Sequence, residues 1–156
     1  IAIIAENIEA AVKDNTPESR AAMLMASMMG AIAFQKGLGV VHSLAHPLST
    51  LLDMHHGLGN AIMIPYGMEF NVSGFESYFE NIATAMGKKG GNGETVVSAL
   101  FELNDKLGLP KTLGLEGVKE EHLEILSDLA IADFAHPNNP KPVTRADFLS
   151  IYKKAL

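Results

Sequence analysis

Apolar positions recur at helical spacing along almost the whole chain, and alternation with period two is nowhere sustained. Ile4, Ile8 and Val12 share one face of a first helix, with Glu6, Glu9 and Lys13 off that face. Asn15-Thr16-Pro17 is a restart: Thr16 can cap a second helix, and Pro17 suits its first position. This second helix carries Met23, Leu24, Met25, Met28, Met29, Ile32 and Phe34. A helix apolar nearly all round is expected at the centre of the domain, its methionines acting as core filling. Gly37 and Gly39 bracket a break. The His42 segment that follows resumes as helix through about Leu44 and continues past Pro47 toward Leu52, with Pro47 either early in a helix or at a kink.

Further helices are expected over residues 57–70, with Pro65 bending it, and over 75–86, 94–107 and 120–132. A last helix begins after Thr144, where Asp147 stands three residues on in capping-box fashion. Residues 87–93, 108–117 and 133–142 read as loops, the last because of Pro137, Pro140 and Pro142. Val40-Val41 is too short for a strand. The fold class is therefore all-α, a multi-helix bundle.

Composition narrows the function classes. The 156 residues suffice for one domain with a real core, and a hydrophobic fraction of 47% excludes a disordered chain. A net charge of −6 argues against nucleic acid as partner, because phosphate backbones recruit basic patches. No apolar stretch reaches the ~20 residues of a membrane span, and no signal-peptide pattern is present. The absence of cysteine fits a reducing, cytoplasmic setting. The chain opens on Ile1 without Met, already in helical pattern and without a cap, so a piece of a longer protein is expected.

The candidate chemistry lies in one segment. His42, His46, His55 and His56 fall within fifteen residues. Imidazole ligates transition metals and carries protons near neutral pH, and without thiolates a metal site here would use nitrogen and oxygen donors. His42 and His46 are four apart, hence on one side of a helix. That spacing suits two ligands to one ion, or one ligand beside one catalytic group. The zinc-protease motif fails because Ser43 follows the first histidine where Glu is required. His55 and His56 are adjacent and cannot easily both face one ion, so one of them is expected outside the first ring of ligands. Asp53 reads as a helix-terminus or surface group with a ligand role as the alternative. His122 reads as a solvated face, and His136 as structural. The Gly-rich run 87–93 lacks the Gly-Lys-Ser/Thr ending of a phosphate loop, and no Gly-x-Ser-x-Gly is present.

The run Ala33-Phe-Gln-Lys-Gly-Leu-Gly-Val-Val-His42-Ser-Leu-Ala-His46-Pro-Leu, followed by His55-His56-Gly57-Leu-Gly-Asn60-Ala61 and Pro65, resembles the signature of the iron-containing (group III) alcohol dehydrogenases. The stretch Asp133-Phe-Ala-His-Pro-Asn138-Asn139-Pro140 resembles that family's Asn-Pro segment before its last helix. The resemblance covers essentially the whole chain. It implies that residues 1–156 are a C-terminal all-helical metal-binding domain, and that an N-terminal α/β domain binding NAD or NADP is absent from this chain. It implies a divalent metal, iron or alternatively zinc, held in part by His42 and His56, the family's Asp and His four residues apart lying upstream of Ile1. It also implies a non-ligand, catalytic role beside the nicotinamide for His46, a small alcohol or aldehyde substrate, and a homo-oligomer. Ser49 departs from the family pattern, which has Gly there. Two other readings stand beside this one: a non-catalytic helical metal-binding or assembly module, and a glycerol dehydrogenase-like or dehydroquinate synthase-like member of the same fold.

Overall fold

Thr16, Asn92 and Thr144 fix three helix starts. In each case the side-chain oxygen accepts the backbone N–H three residues on, and at Asn92 and Thr144 the third residue reciprocates to complete a capping box. The computed structural model describes residues 1–156, and its eight α-helices are α1 (Ala2–Lys13), α2 (Pro17–Ala33), α3 (Val40–Leu52), α4 (His56–Val72), α5 (Glu76–Ala85), α6 (Gly93–Lys106), α7 (Leu123–Ala132) and α8 (Arg145–Ala155). There is no strand, and short 3-10 turns join several of the helices. No single helix is long and apolar enough to cross a membrane.

Helix α3 lies at the centre. It packs on α4 and α7; α4 also packs on α6 and α8, and α7 on α8. Val40, Leu44 and Leu48 of α3 meet Ile62 and Met63 of α4, Leu126 of α7 and Phe148 and Tyr152 of α8 in one apolar core. The Tyr152 hydroxyl reaches the carbonyl oxygen of Leu44 at 2.7 Å, so the one polar atom of this buried ring is satisfied. Helices α3 and α4 approach closely. A Cβ on Gly67 would lie 2.7 Å from Val41, and one on Gly59 would touch Ala45 at 3.6 Å. A smaller cluster of Phe79, Ala83 and Val96 joins α5 to α6.

The two internal prolines do not break their helices. Pro47 is buried within α3, and α4 runs through Pro65 as a single helix. Pro65 has no N–H to give the carbonyl of Ala61, four residues earlier. Asn104 of α6 supplies that donor at 2.7 Å, and this explains a buried asparagine on an otherwise apolar stripe.

Helix α2 corrects the sequence reading. It is peripheral, not central: Leu24 is 74% and Ile32 66% exposed, and only Ser19 and Ala26 are buried. An all-round apolar pattern records a helix whose every side can be covered, and in this chain α1 is its main packing partner among the helices. The segment 120–132 is also divided. Its first turn is 3-10 (Glu120–His122), and the α-helix begins at Leu123. His122 is half-buried and not a solvated group, because its Nδ1 accepts the N–H of Lys119 at 3.1 Å.

Candidate functional site

The start of α3, the start of α4 and the loop after α7 meet at one place. His42 and His46 sit one turn apart on α3, and His56 is the first residue of α4. The reversal between these helices is made at Asp53, which ends α3 in the left-handed conformation at φ 54°. Asp53 is thus a helix-terminus residue. The three imidazoles form a triangle with ring-centroid separations of 5.7 Å (His42–His46), 5.6 Å (His42–His56) and 5.3 Å (His46–His56). His46 is sandwiched between two near-parallel rings, His56 on one side and Phe134 at 5.6 Å on the other. His55 is the exposed N-cap of α4 and takes no part in the triangle.

Each histidine is held differently. His42 is positioned by ring packing, edge-on to Phe34 at 6.5 Å and to His46. Burial, and then the proximity of His46 and His56, hold its pKa below the usual imidazole value against a smaller opposing pull from Asp133. His42 therefore favours the neutral form, the one that ligates a metal. His56 Nε2 lies 2.9 Å from Asn60 Nδ2, which also donates to the His56 carbonyl at 3.1 Å. That second bond fixes which way the amide points, so Nε2 accepts and the His56 proton sits on Nδ1. The other amide atom, Asn60 Oδ1, is buried without a hydrogen-bond partner.

His46 Nδ1 pairs with Asp133 Oδ2 at 2.8 Å. Asp133 Oδ1 accepts from Ser43 Oγ at 2.6 Å and from the N–H of Ala135 at 2.9 Å. Burial raises the Asp133 pKa, but its hydrogen bonds to Ser43, His46 and Ala135 and the charge of His46 outweigh this, so the carboxyl titrates below its ordinary value. Ser43 bonds the carboxylate and not the imidazole, so the three side chains are not the nucleophilic triad of a hydrolase. His136 is structural, as the sequence indicates: its Nε2 donates to the Ile131 carbonyl at 3.0 Å and its ring lies edge-on to Phe148.

The rings of His42 and His56 lie 5.6 Å apart, beside an Asn60 amide with an unspent oxygen, and nitrogen and oxygen donors of this kind are ones that a divalent transition metal accepts. Ligation through His56 Nε2 would exchange the Asn60 contact for the ion. No three histidine or carboxylate side chains of this chain are set around a common point for one ion. Of the residues singled out in the sequence, the fold brings together His42, His46 and His56 and leaves out Asp53, His55, His122 and His136. Sequence reasoning missed Ser43, Asn60, Asp133 and Phe134 as parts of the site. Only Asn60 carried a local signal, being four residues after His56 on the same helix face.

The profile of the iron-containing alcohol dehydrogenase family, C-terminal part, matches residues 1–156, and the chain belongs to that family. It is 34% identical over 160 residues to 4-hydroxybutyrate dehydrogenase of Cupriavidus necator, covering 96% of this chain and 41% of the relative. It is 33% identical to NAD-dependent methanol dehydrogenase of Bacillus methanolicus, covering 89% of this chain and 38% of that protein. A crystal structure of 1,3-propanediol oxidoreductase superposes with a TM-score of 0.95 at 30% identity, over 99% of this chain and 43% of that one. The chain therefore spans about two-fifths of the length of these relatives.

Proposed function

We propose that this chain is the C-terminal helical domain of a metal-dependent alcohol dehydrogenase that interconverts a small alcohol and its aldehyde or ketone with NAD or NADP. The observation that carries the reading is the imidazole triangle. The His42 and His56 rings lie 5.6 Å apart, and the third ring, His46, is tied to a carboxylate. The dinucleotide would be bound by an N-terminal α/β domain outside residues 1–156. A cytoplasmic homo-oligomer is the setting in which we place the enzyme.

His42 and His56 would hold the ion, iron or alternatively zinc, with further ligands from outside this chain. When bound, the ion supplies a Lewis acid at the substrate oxygen and the nicotinamide carries the hydride. His46 is the proton carrier: with Nδ1 committed to Asp133, Nε2 is the nitrogen that takes or returns a proton. Phe134 and His56 clamp its ring and so limit its rotation. Asn139 Oδ1, which lies against Gly39 and accepts the Val40 N–H at 3.2 Å, fixes the start of α3 and hence the position of His42 and His46.

The test is metal content by mass spectrometry on the full-length protein, wild type against His42→Ala and His56→Ala, alongside alcohol-dependent reduction of NAD and NADP. Loss of metal and of turnover in both variants is the expected result. Unchanged metal stoichiometry in both would overturn the reading.

A further inference from the structure

A run of hydrogen bonds that begins at a backbone amide ends on the His46 ring, and its direction can be read from the first donor. The N–H of His136 can only donate, and it donates to Ser43 Oγ at 2.8 Å. The single Ser43 proton is then free for Asp133 Oδ1 at 2.6 Å, where the Ala135 N–H also donates at 2.9 Å. Oδ1 is thus occupied as an acceptor by groups that anchor the loop, and Oδ2 is left to His46 Nδ1 at 2.8 Å. The Asp133 side chain is only 11% exposed, and the same donors favour its ionised form. A carboxylate has no proton to give, so His46 Nδ1 must carry one.

We propose that Asp133 is a positioning residue that holds His46 in its Nδ1–H tautomer, with Ser43 orienting the carboxylate, so that Nε2 is the basic nitrogen available for proton transfer. Sequence position hides this relation, because Asp133 lies 87 residues from His46 and Ser43 is 90 residues from Asp133. Fixing a tautomer and ring orientation through the nitrogen not used in chemistry is the established task of a carboxylate behind a histidine. Asp133 Oδ1 ties down the loop that carries Phe134, so one side chain sets both the hydrogen bond to His46 and the ring stacked upon it. The kinetic consequence rests on the proton-carrier role proposed above; the tautomer does not.

Two measurements test it. Nitrogen-15 NMR of the imidazoles in the full-length protein, free of added metal, reports which ring nitrogen is protonated, with His46→Gln identifying the His46 signals. The Nδ1–H form is expected in wild type. In Asp133→Asn the carboxamide can donate to Nδ1, and a shift to the Nε2–H form is expected. Ser43→Ala should keep the wild-type tautomer. In steady-state kinetics on the metal-loaded enzyme, Asp133→Asn should lower kcat by about 10²–10⁴-fold with a much smaller change in KM and no loss of metal. Ser43→Ala should lower kcat far less. An Nε2–H form already present in wild type overturns the proposal, whether or not the variants fold. So does a folded Asp133→Asn that keeps the Nδ1–H form. If the tautomer behaves as expected while His42→Ala and His56→Ala keep their metal, Asp133 is the positioning residue and the dehydrogenase reading alone falls.

Discussion

Asn139 caps helix α3 from 99 residues away: its Oδ1 accepts the N–H of Val40 at 3.2 Å. The residue in the N-cap position, Gly39, has no side chain to do this, and a Cβ there would lie 2.9 Å from the same oxygen. Gly37, at φ 94°, likewise lies against Asn138, where a Cβ would come within 2.7 Å of its Cγ. The glycines of Gly37-Leu-Gly39 are therefore read as room for the Asn138-Asn139 loop, which brings Asp133 and Phe134 over the histidines.

Asn139→Ala should destabilise the protein by about 2–4 kcal/mol. The substitution removes the Val40 cap and also the paired amide bonds with buried Asn71, at 3.0 and 2.8 Å, leaving Asn71 unsatisfied. Urea unfolding measures this. A change of only a few tenths of a kcal/mol would mean that water or a shifted loop replaces the bonds.

The Pro65–Asn104 pairing makes a sharper prediction. Asn104→Leu leaves the Ala61 carbonyl buried without the donor that Pro65 cannot supply, at a cost of about 1–3 kcal/mol. In the Asn104→Leu background, Pro65→Ala restores a backbone N–H within reach of that carbonyl, so part of the loss should return. A double-mutant cycle by thermal or urea unfolding reads the coupling. Purely additive losses would show that Asn104 stabilises the fold by packing alone.

Helix positions were legible in the sequence because periodicity and caps are local. Thr16, Thr144 and the 3.6-residue repeat each act within a few positions. The coming together of His42, His46 and His56 was legible for a related reason: two share a helix face and the third begins the next helix, after a turn at Asp53. Roles that depend on distant partners were not. Asp133 reads as a loop residue and Gly39 as a breaker, until the fold sets each against a residue tens of positions away. The α2 misreading has the same origin. Apolarity records that a face can be covered, and the surface that does so is not written in the helix itself.

His46→Ala in the full-length enzyme should retain its metal and lose about 10²-fold in kcat. The expectation follows from the commitment of Nδ1 to Asp133 and from the ring's place between His56 and Phe134. Metal analysis and kinetics on the same preparation separate the outcomes. Loss of metal would make His46 a ligand through Nε2, a carboxylate–histidine–metal arrangement. Full rate with full metal would make it a packing residue.

Asp133 gives the fold an acid-sensitive contribution whose sign is set by its environment. Burial alone would raise its pKa, but Ser43, His46 and the Ala135 N–H more than reverse that, so the folded value lies below the unfolded one. In the pH window between the two values the unfolded chain binds more protons, and acid there favours unfolding. The contribution is therefore complete above the unfolded aspartate value of about 3.9 and is lost as pH falls through the lower folded value. In thermal unfolding, the stability difference between wild type and Asp133→Asn should narrow as pH falls below about 4. A gap that stays constant through the acid range would show that the ionisation of Asp133 contributes nothing to stability and that only the shape of its side chain matters.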